Sequence, residues 1–327
     1  MGHRAMAGGA LRGLMGELVL VGDIGGTNSR FGAVAPGETR VRDIATLRND
    51  RFGSLEEAIS HYVADHAGHG FSAAAIAVAA PTAGETIGLT NRNWRFTRES
   101  LRKAAGARRF LLLNDFEALA HSLPHLGPDE VIRIGGEEPH VDEVKIVLGP
   151  GTGLGMATLA PRGGGRWLAL AGEVGHTHLP VATREEFEWR QKMTRPGETF
   201  TSEDALSGGG LLRMYRAIAP QGPLSAPEEV LAAGLSGADR QAQRTVNQFI
   251  TWLARVAGDA AMAMQAKGGV YLAGGIAPAL IEKLKSSAFR AMFEDKGKIA
   301  YVMKPIPVYV IVDKFPALKG CAAAIAE

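Results

Sequence analysis

The chain has 327 residues, 46% of them hydrophobic, and a formal net charge of +2, a length that suits two domains better than one. The near-neutral charge argues against an electrostatic nucleic-acid footprint, short basic pairs such as Arg108-Arg109 read as solvated surface, and no apolar run reaches the length of a membrane span. A single cysteine, Cys321, excludes intrachain disulfides and any cysteine-rich zinc site, which points to an intracellular, cytoplasmic protein.

Met1 to Gly16 is rich in glycine and alanine, is interrupted by Arg4 and Arg12, and lacks the continuous apolar core of a signal peptide. Residues 1–17 are expected to be a disordered extension, an over-early start or a cloning remnant. Leu18–Val21 reads as a buried strand. It runs into Gly22-Asp23-Ile24-Gly25-Gly26-Thr27-Asn28. Adjacent glycines let a backbone turn tightly and bring its N–H groups close to a phosphate. Asp23 adds a carboxylate for a magnesium ion or its waters.

Arg30–Val34 and a segment near Arg40–Thr46 complete a meander. Ser54–Ala67 is expected to be a helix, with Ser54 as its cap and Glu57 three residues on. Ala75–Ala80 is an apolar strand. In the polar loop Thr90-Asn91-Arg92-Asn93-Trp94, the amide of Asn91 both donates and accepts, which suits a hydroxyl-rich ligand. Trp94 fits packing in the smaller domain better than stacking on a sugar. The strand Phe110–Leu113 ends at Asn114-Asp115, before a helix over Phe116–Ser122. Open α/β sheets bind ligands at the carboxyl ends of their strands. Asp115 is therefore either a general base aimed into a cleft or the N-cap of that helix.

A second turn follows the strand Ile146-Val147-Leu148, in Gly149-Pro150-Gly151-Thr152-Gly153-Leu154-Gly155. No Lys-Ser or Lys-Thr follows its glycines, so it is not the common P-loop, and the spacing is not that of a dinucleotide fingerprint. Two such turns facing each other would grip a triphosphate from both sides. Glu173 and His176, flanked by glycines, suit one small polar ligand; no third ligand nearby supports a metal. Glu203 lies in Thr201-Ser202-Glu203-Asp204, which also reads as an ordinary helix start. A long helical stretch runs from about Gly237 to Ala266. The strand at Gly268–Ala273 then meets Gly274-Gly275, and a helix is expected over Ile276–Leu284 with Pro278 in its first turn. That glycine pair lets a flat ring approach, or is a plain strand–helix connection. The recurring turn reads as an internal repeat of two α/β domains around a cleft.

Together these residues resemble the bacterial glucokinase family, within the superfamily of sugar kinases, heat-shock chaperones and actin. The likeness runs from about Glu17 to Ala324. It is carried by Gly22–Asn28, Thr90–Trp94, Asn114-Asp115-Phe116, Gly151–Gly155, Gly172-Glu173-Val174-Gly175-His176, Leu206-Ser207-Gly208 and Ala273–Ile276, and by Phe293–Gly297 and Ile306–Tyr309 near the end.

The resemblance implies an α/β protein with a two-domain, actin-like (ribonuclease H-like) ATPase fold and an interdomain cleft. The small domain would be 18–126 with 313–327, and the large one 127–312. It implies ATP-dependent phosphorylation of glucose at the 6-hydroxyl, with magnesium, by a homodimer. Asp115 would be the base; Asn91, Asn114, Glu173, His176 and Glu203 would hold the sugar. Asp23, Gly25, Gly26, Thr27 and Asn28, with Gly151, Thr152 and Gly153, would hold the phosphates, with Asp23 toward the metal. Gly274 and Gly275 would lie near the adenosine. Val174 stands where the family often has glycine, and Pro150 where it often has a small residue, which removes one N–H. A related group of sugar kinases and repressors carries a cysteine-rich zinc loop that this chain cannot form, and the stretch before Leu18 is too short for a helix-turn-helix domain. A nucleotide switch without a sugar acceptor is the other reading, and the polar set around Asp115 speaks against it.

Overall fold

In the computed structural model, which describes residues 18–66, 71–89 and 92–327, the first apolar run continues beyond Val21. Strand β1 is Val19–Ile24, so Asp23 belongs to the strand and not to the turn. Asn28 likewise opens β2 (Asn28–Val34), which leaves Gly25-Gly26-Thr27 as the turn itself. The meander closes with β3 (Arg42–Arg48), two residues later than the sequence suggests. The remaining strands up to Leu126 are β4 (Ala73–Val78), the short hairpin β5 (Thr86–Gly88) and β6 (Arg95–Thr97), and β7 (Arg109–Asn114). Asn91 and the 1–17 extension lie outside the described residues.

The chain divides into two units. One runs to Leu126 and takes in Lys314–Glu327; the other is Gly127–Asp313. Asp313, expected in the smaller domain, falls in the second because its N–H and that of Val312 both donate to the Glu130 carbonyl.

The first unit is a five-stranded sheet of order β3-β2-β1-β4-β7. β1, β2 and β3 are antiparallel neighbours, whereas β1, β4 and β7 run parallel. Side chains alternate across a strand, and β1 shows it. Leu20 and Ile24 join a core with Leu55, Ile59 and Tyr62 of the helix Leu55–His66. Val19 and Val21 face the other side, against Ala118 of the helix Asp115–Ser122 and Leu318, Cys321 and Ile325 of the helix Pro316–Ala326. By the same alternation Asp23 lies on the face that carries Asp115–Ser122. Burying each such leucine or isoleucine contributes about 1.5–3 kcal/mol, enough to set which face of β1 points where. Trp94, 6% exposed, packs in the first of these cores, as expected.

The second unit repeats the pattern. Its strands are β8 (Val131–Gly135), β9 (Lys145–Pro150), β10 (Leu154–Pro161), β11 (Trp167–Gly172), β12 (Val270–Leu272) and β13 (Val308–Ile311). The order is β11-β10-β9-β12-β13-β8. Again three antiparallel strands lead to two parallel ones, with β8 added antiparallel at the edge. The internal repeat expected from the glycine turns is thus present as topology.

The long helix is Arg240–Met264, capped by Asp239, whose Oδ1 accepts the N–H groups of Gln241 and Ala242. Its buried positions, among them Ala242, Val246, Phe249, Leu253, Val256 and Ala260, recur every three or four residues. Gly237 is not its start. It is the left-handed cap (φ 76°) that ends the helix Pro227–Ser236, a conformation glycine adopts without strain. The helix expected at Ile276 begins instead as a 3-10 turn, Ala277–Leu280, and becomes α-helical only over Ile281–Ser286. Among the described residues, no helix is long and apolar enough to cross a membrane.

Candidate active site

In the first unit the candidate residues gather at the carboxyl end of β1 and β7. Asn114 closes β7 and is itself the N-cap of Asp115–Ser122. Its Oδ1 accepts the N–H groups of Phe116 (2.9 Å) and Glu117 (3.4 Å), and Glu117 returns the bond to the Asn114 N–H. Of the two alternatives for Asp115, the N-cap role falls to Asn114 instead. Asp115 is the first helical residue, so its carboxylate is free of the capping task; Oδ1 accepts the Phe116 N–H, at 3.0 Å. Asn114 is in turn half committed: its carbonyl caps the helix, and its amide Nδ2 lies 3.4 Å from the Ala80 carbonyl. A ligand would meet the amide N–H groups of Asn114 and not its oxygen.

Burial pushes the Asp115 carboxyl up to about 6, and the negative charge of Asp23 adds to the shift; the Phe116 N–H opposes it. Asp23 is itself pushed up by burial, in part offset by Arg30, whose Nη1 lies 3.1 Å from Oδ2. Arg30 sits directly opposite Asp23 across the β1–β2 ladder. Arg30 carries no motif signal in the sequence, although a hairpin whose loop is the four residues 25–28 pairs 23 with 30 by register alone. Within the turn, the Gly25 N–H donates to the Asn28 carbonyl at 3.0 Å, and Gly26 and Thr27 are exposed.

In the second unit the glycine turn joins β9 to β10, where Pro150 pairs with Leu154. Pro150 is buried at the strand end, so the N–H it lacks is one the turn Gly151-Thr152-Gly153 does not present. The Gly151 carbonyl accepts the N–H of Gly208, at the start of the helix Gly208–Ile218. Glu203 belongs to the one-turn helix Ser202–Ala205, which Thr201 and Asp204 cap as its sequence suggested. Yet Glu203 also reaches the second glycine turn: its Oε2 accepts the Leu154 N–H at 2.8 Å. A Cβ on Gly153 would strike that same oxygen, and one on Gly175 would strike the Leu154 carbonyl. The absence of two side chains thus makes room for the Glu203 carboxylate.

Glu173 ends just before a 3-10 turn, Val174–His176, tied to the Glu203 helix by the Ser202 N–H, which donates to Thr177 at 2.8 Å. The side chains of Glu173 and His176 are 75% and 64% exposed and 3.9 Å apart, so both keep their bonding capacity for a ligand. Gly274 adopts φ 82°, and a Cβ there would come within 2.6 Å of the Pro150 carbonyl, whereas Gly275 faces open space. Gly274 therefore has a packing role whatever it binds. The structure brings together Gly151–Gly153, Glu173, His176, Glu203 and Gly274-Gly275 within this unit, and Asp23, Gly25–Asn28, Asn114 and Asp115 within the other.

A cavity of about 420 Å³ in the first unit, bordered by Val19, Arg108, Arg109 and Ile325, lies at the amino ends of β1 and β7; no candidate residue lines it. Among the described residues no three histidine, cysteine, aspartate or glutamate side chains cluster to hold a metal ion.

A family model described as Glucokinase matches residues 20–327. A glucokinase of Chromobacterium violaceum is 43% identical over 315 residues, covering 94% of this chain and 89% of that protein. One of Ralstonia nicotianae is 40% identical over 324 residues, covering 94% of each. The crystal structure of a glucokinase from an Antarctic psychrotroph matches with a TM-score of 0.85 at 28% identity, covering 94% of this chain and 98% of its own. The two repeated sheets are those of the actin-like, ribonuclease H-like ATPase fold.

Proposed function

This chain belongs to the glucokinase family, and on that premise we propose that it transfers the γ-phosphoryl group of ATP to the 6-hydroxyl of glucose, giving glucose 6-phosphate and ADP. The observation that carries this reading is Asp115, a carboxylate relieved of capping, half-buried, and with a pKa moved to about 6. A general base works best with a pKa near the working pH.

Phosphoryl transfer passes through a loose transition state, so catalysis is mostly positioning and charge neutralisation. Asp115 orients the 6-hydroxyl oxygen and accepts its proton as the new bond to phosphorus forms. Asn91 and Asn114, with Glu173, His176 and Glu203, hold the remaining hydroxyls. The turns at Gly25–Thr27 and Gly151–Gly153, with Asn28 beside the first, hold the phosphates through backbone N–H groups. The open face at Gly274-Gly275 receives the adenosine.

Magnesium fits this donor set. One Asp23 oxygen is taken by Arg30, and the other accepts no hydrogen bond among the described residues. A single carboxylate plus substrate phosphates is the usual provision for Mg²⁺. Held there through Asp23, directly or by a water, the ion would neutralise charge on the transferred group. The assembly we propose is a homodimer in the cytoplasm.

The test is a coupled assay of ADP formation with and without sugar. ADP should appear on addition of glucose and far less with galactose or fructose, because a site that bonds a hydroxyl is left with unpaired polar groups when that hydroxyl is inverted. ADP release that ignores glucose would overturn the kinase reading and favour a nucleotide switch.

A further inference from the structure

Asn49 follows β3 and is fully buried. Every polar group it has is engaged. Its Nδ2 donates to the carbonyls of Gly25, at 2.8 Å, and Gly26, at 3.2 Å, and its backbone N–H donates to the Thr27 carbonyl at 2.9 Å. Its Oδ1 accepts the Ser29 hydroxyl at 2.7 Å, and its own carbonyl accepts Arg92 Nη2 at 2.9 Å. Three consecutive carbonyls of the first glycine turn therefore end on one side chain and one N–H of the same residue.

In a planar trans peptide, the carbonyl and the following N–H point in opposite directions. Drawing the Gly25 and Gly26 carbonyls inward onto Asn49 turns the N–H groups of Gly26 and Thr27 outward. Both residues are exposed, and among the described residues neither N–H has a partner. Outward, adjacent N–H groups form an anion-binding concavity.

We propose that Asn49 is the positioning residue of this turn, setting its affinity for nucleotide phosphates without touching the nucleotide. The inference rests on the reading that Gly25–Thr27 holds phosphate. Only an amide meets all the requirements at this point. Aspartate cannot donate and would bury a carboxylate against two carbonyls; alanine would leave those carbonyls without donors. Ser29 has the supporting task of fixing which way the amide faces.

The test compares the full-length wild type with Asn49→Ala, Asn49→Asp and Ser29→Ala. The readouts are KM for ATP and for glucose, the Kd of ADP by calorimetry without sugar, and the melting temperature. Asn49→Ala is expected to weaken ADP binding and raise the ATP KM by about 10-fold, the scale of lost hydrogen bonds. Asn49→Asp is expected to do so more strongly and Ser29→Ala more weakly, with the glucose KM unchanged. A folded Asn49 variant with wild-type ADP affinity would overturn the proposal. So would ATP and glucose parameters that decline together in step with melting temperature, since that marks a strut for the fold. If neither Asn49 variant folds, Ser29→Ala decides, and unaltered ADP affinity there counts against the proposal. Failure of the kinase reading shows separately, as wild-type protein that binds ADP but does not phosphorylate glucose.

Discussion

The charge of Asp23 raises the pKa of Asp115, although the strands that lead to them, β1 and β7, are separated in the sheet by β4. The two meet because β1 turns Asp23 to the face on which the helix Asp115–Ser122 lies. A carboxylate pair of this kind keeps one member hard to ionise. Here Asp23 has the Arg30 guanidinium to offset its charge, whereas Asp115 has only neutral donors, the backbone N–H groups and the Asn114 amide, so the two are suited to different tasks: Asp23 to a cation, Asp115 to a proton.

Asp115→Asn keeps the shape and the bond from Phe116 but cannot take a proton. Loss of a general base lowers kcat by roughly 10²–10⁴, while glucose should still bind. A variant with near wild-type kcat would return Asp115 to a structural role.

The same substitution should change stability with a definite sign. The folded-state pKa of Asp115, about 6, lies above its ordinary value of 3.8. Its contribution to stability is therefore full below the ordinary value and is lost as pH rises through the folded value. Asparagine carries no charge to desolvate. Asp115→Asn is expected to melt at or above the wild-type temperature at pH 8, with the difference shrinking toward pH 4, measured by calorimetry. A melting temperature well below wild type at pH 8 would contradict the assigned shift. In the wild type, kcat/KM for glucose should fall as pH drops below about 6.

Gly153 and Gly175 touch the same carboxylate but should respond differently to alanine. At Gly153 the added Cβ meets Glu203 Oε2, the end of a flexible side chain. Glu203 can move, at the loss of its bond to Leu154, so Gly153→Ala is expected to fold normally and raise the glucose KM by about 10-fold. At Gly175 the Cβ meets the Leu154 backbone carbonyl, which cannot step aside. Gly175→Ala should destabilise the fold by about 1–3 kcal/mol. Equal melting temperatures for the two variants would sink the distinction.

Gly274 and Gly275 offer a second contrast. Gly274→Ala places a side chain in left-handed backbone, which disfavours it by about 1–2 kcal/mol, and drives its Cβ against the Pro150 carbonyl. Gly275→Ala meets nothing in the protein. The first should lower the melting temperature without nucleotide present. The second should leave it unchanged and raise the KM for ATP. An unaltered KM in Gly275→Ala would remove the adenosine from this turn.

Much of the architecture was legible along the chain. The strands before each glycine turn, the long helix near Arg240–Met264 and the Asn114-Asp115 step are local, and hydrophobic period and turn chemistry act over a few residues. Boundaries slipped where a strand carries polar residues to its end, as at Asp23 and Asn114, because burial of a strand end depends on neighbours remote in sequence. The edge strand β8 and the small hairpin β5–β6 escaped notice because they are short and only partly apolar.

From residue types and spacing alone came the two glycine turns, the carboxylate after β7 and the glycine-flanked Glu173 and His176; these follow from what a backbone can do within a few residues. Tertiary structure decided the rest. It made Asn114 and not Asp115 the helix cap, set Arg30 against Asp23, and fitted the Glu203 carboxylate into the space that Gly153 and Gly175 leave. It also brought Asn49 under the Gly25–Thr27 turn. The physical reason is the same in each case: a hydrogen bond or a charge acts over a few ångströms of space, and sheet order, not sequence distance, determines which residues come that close.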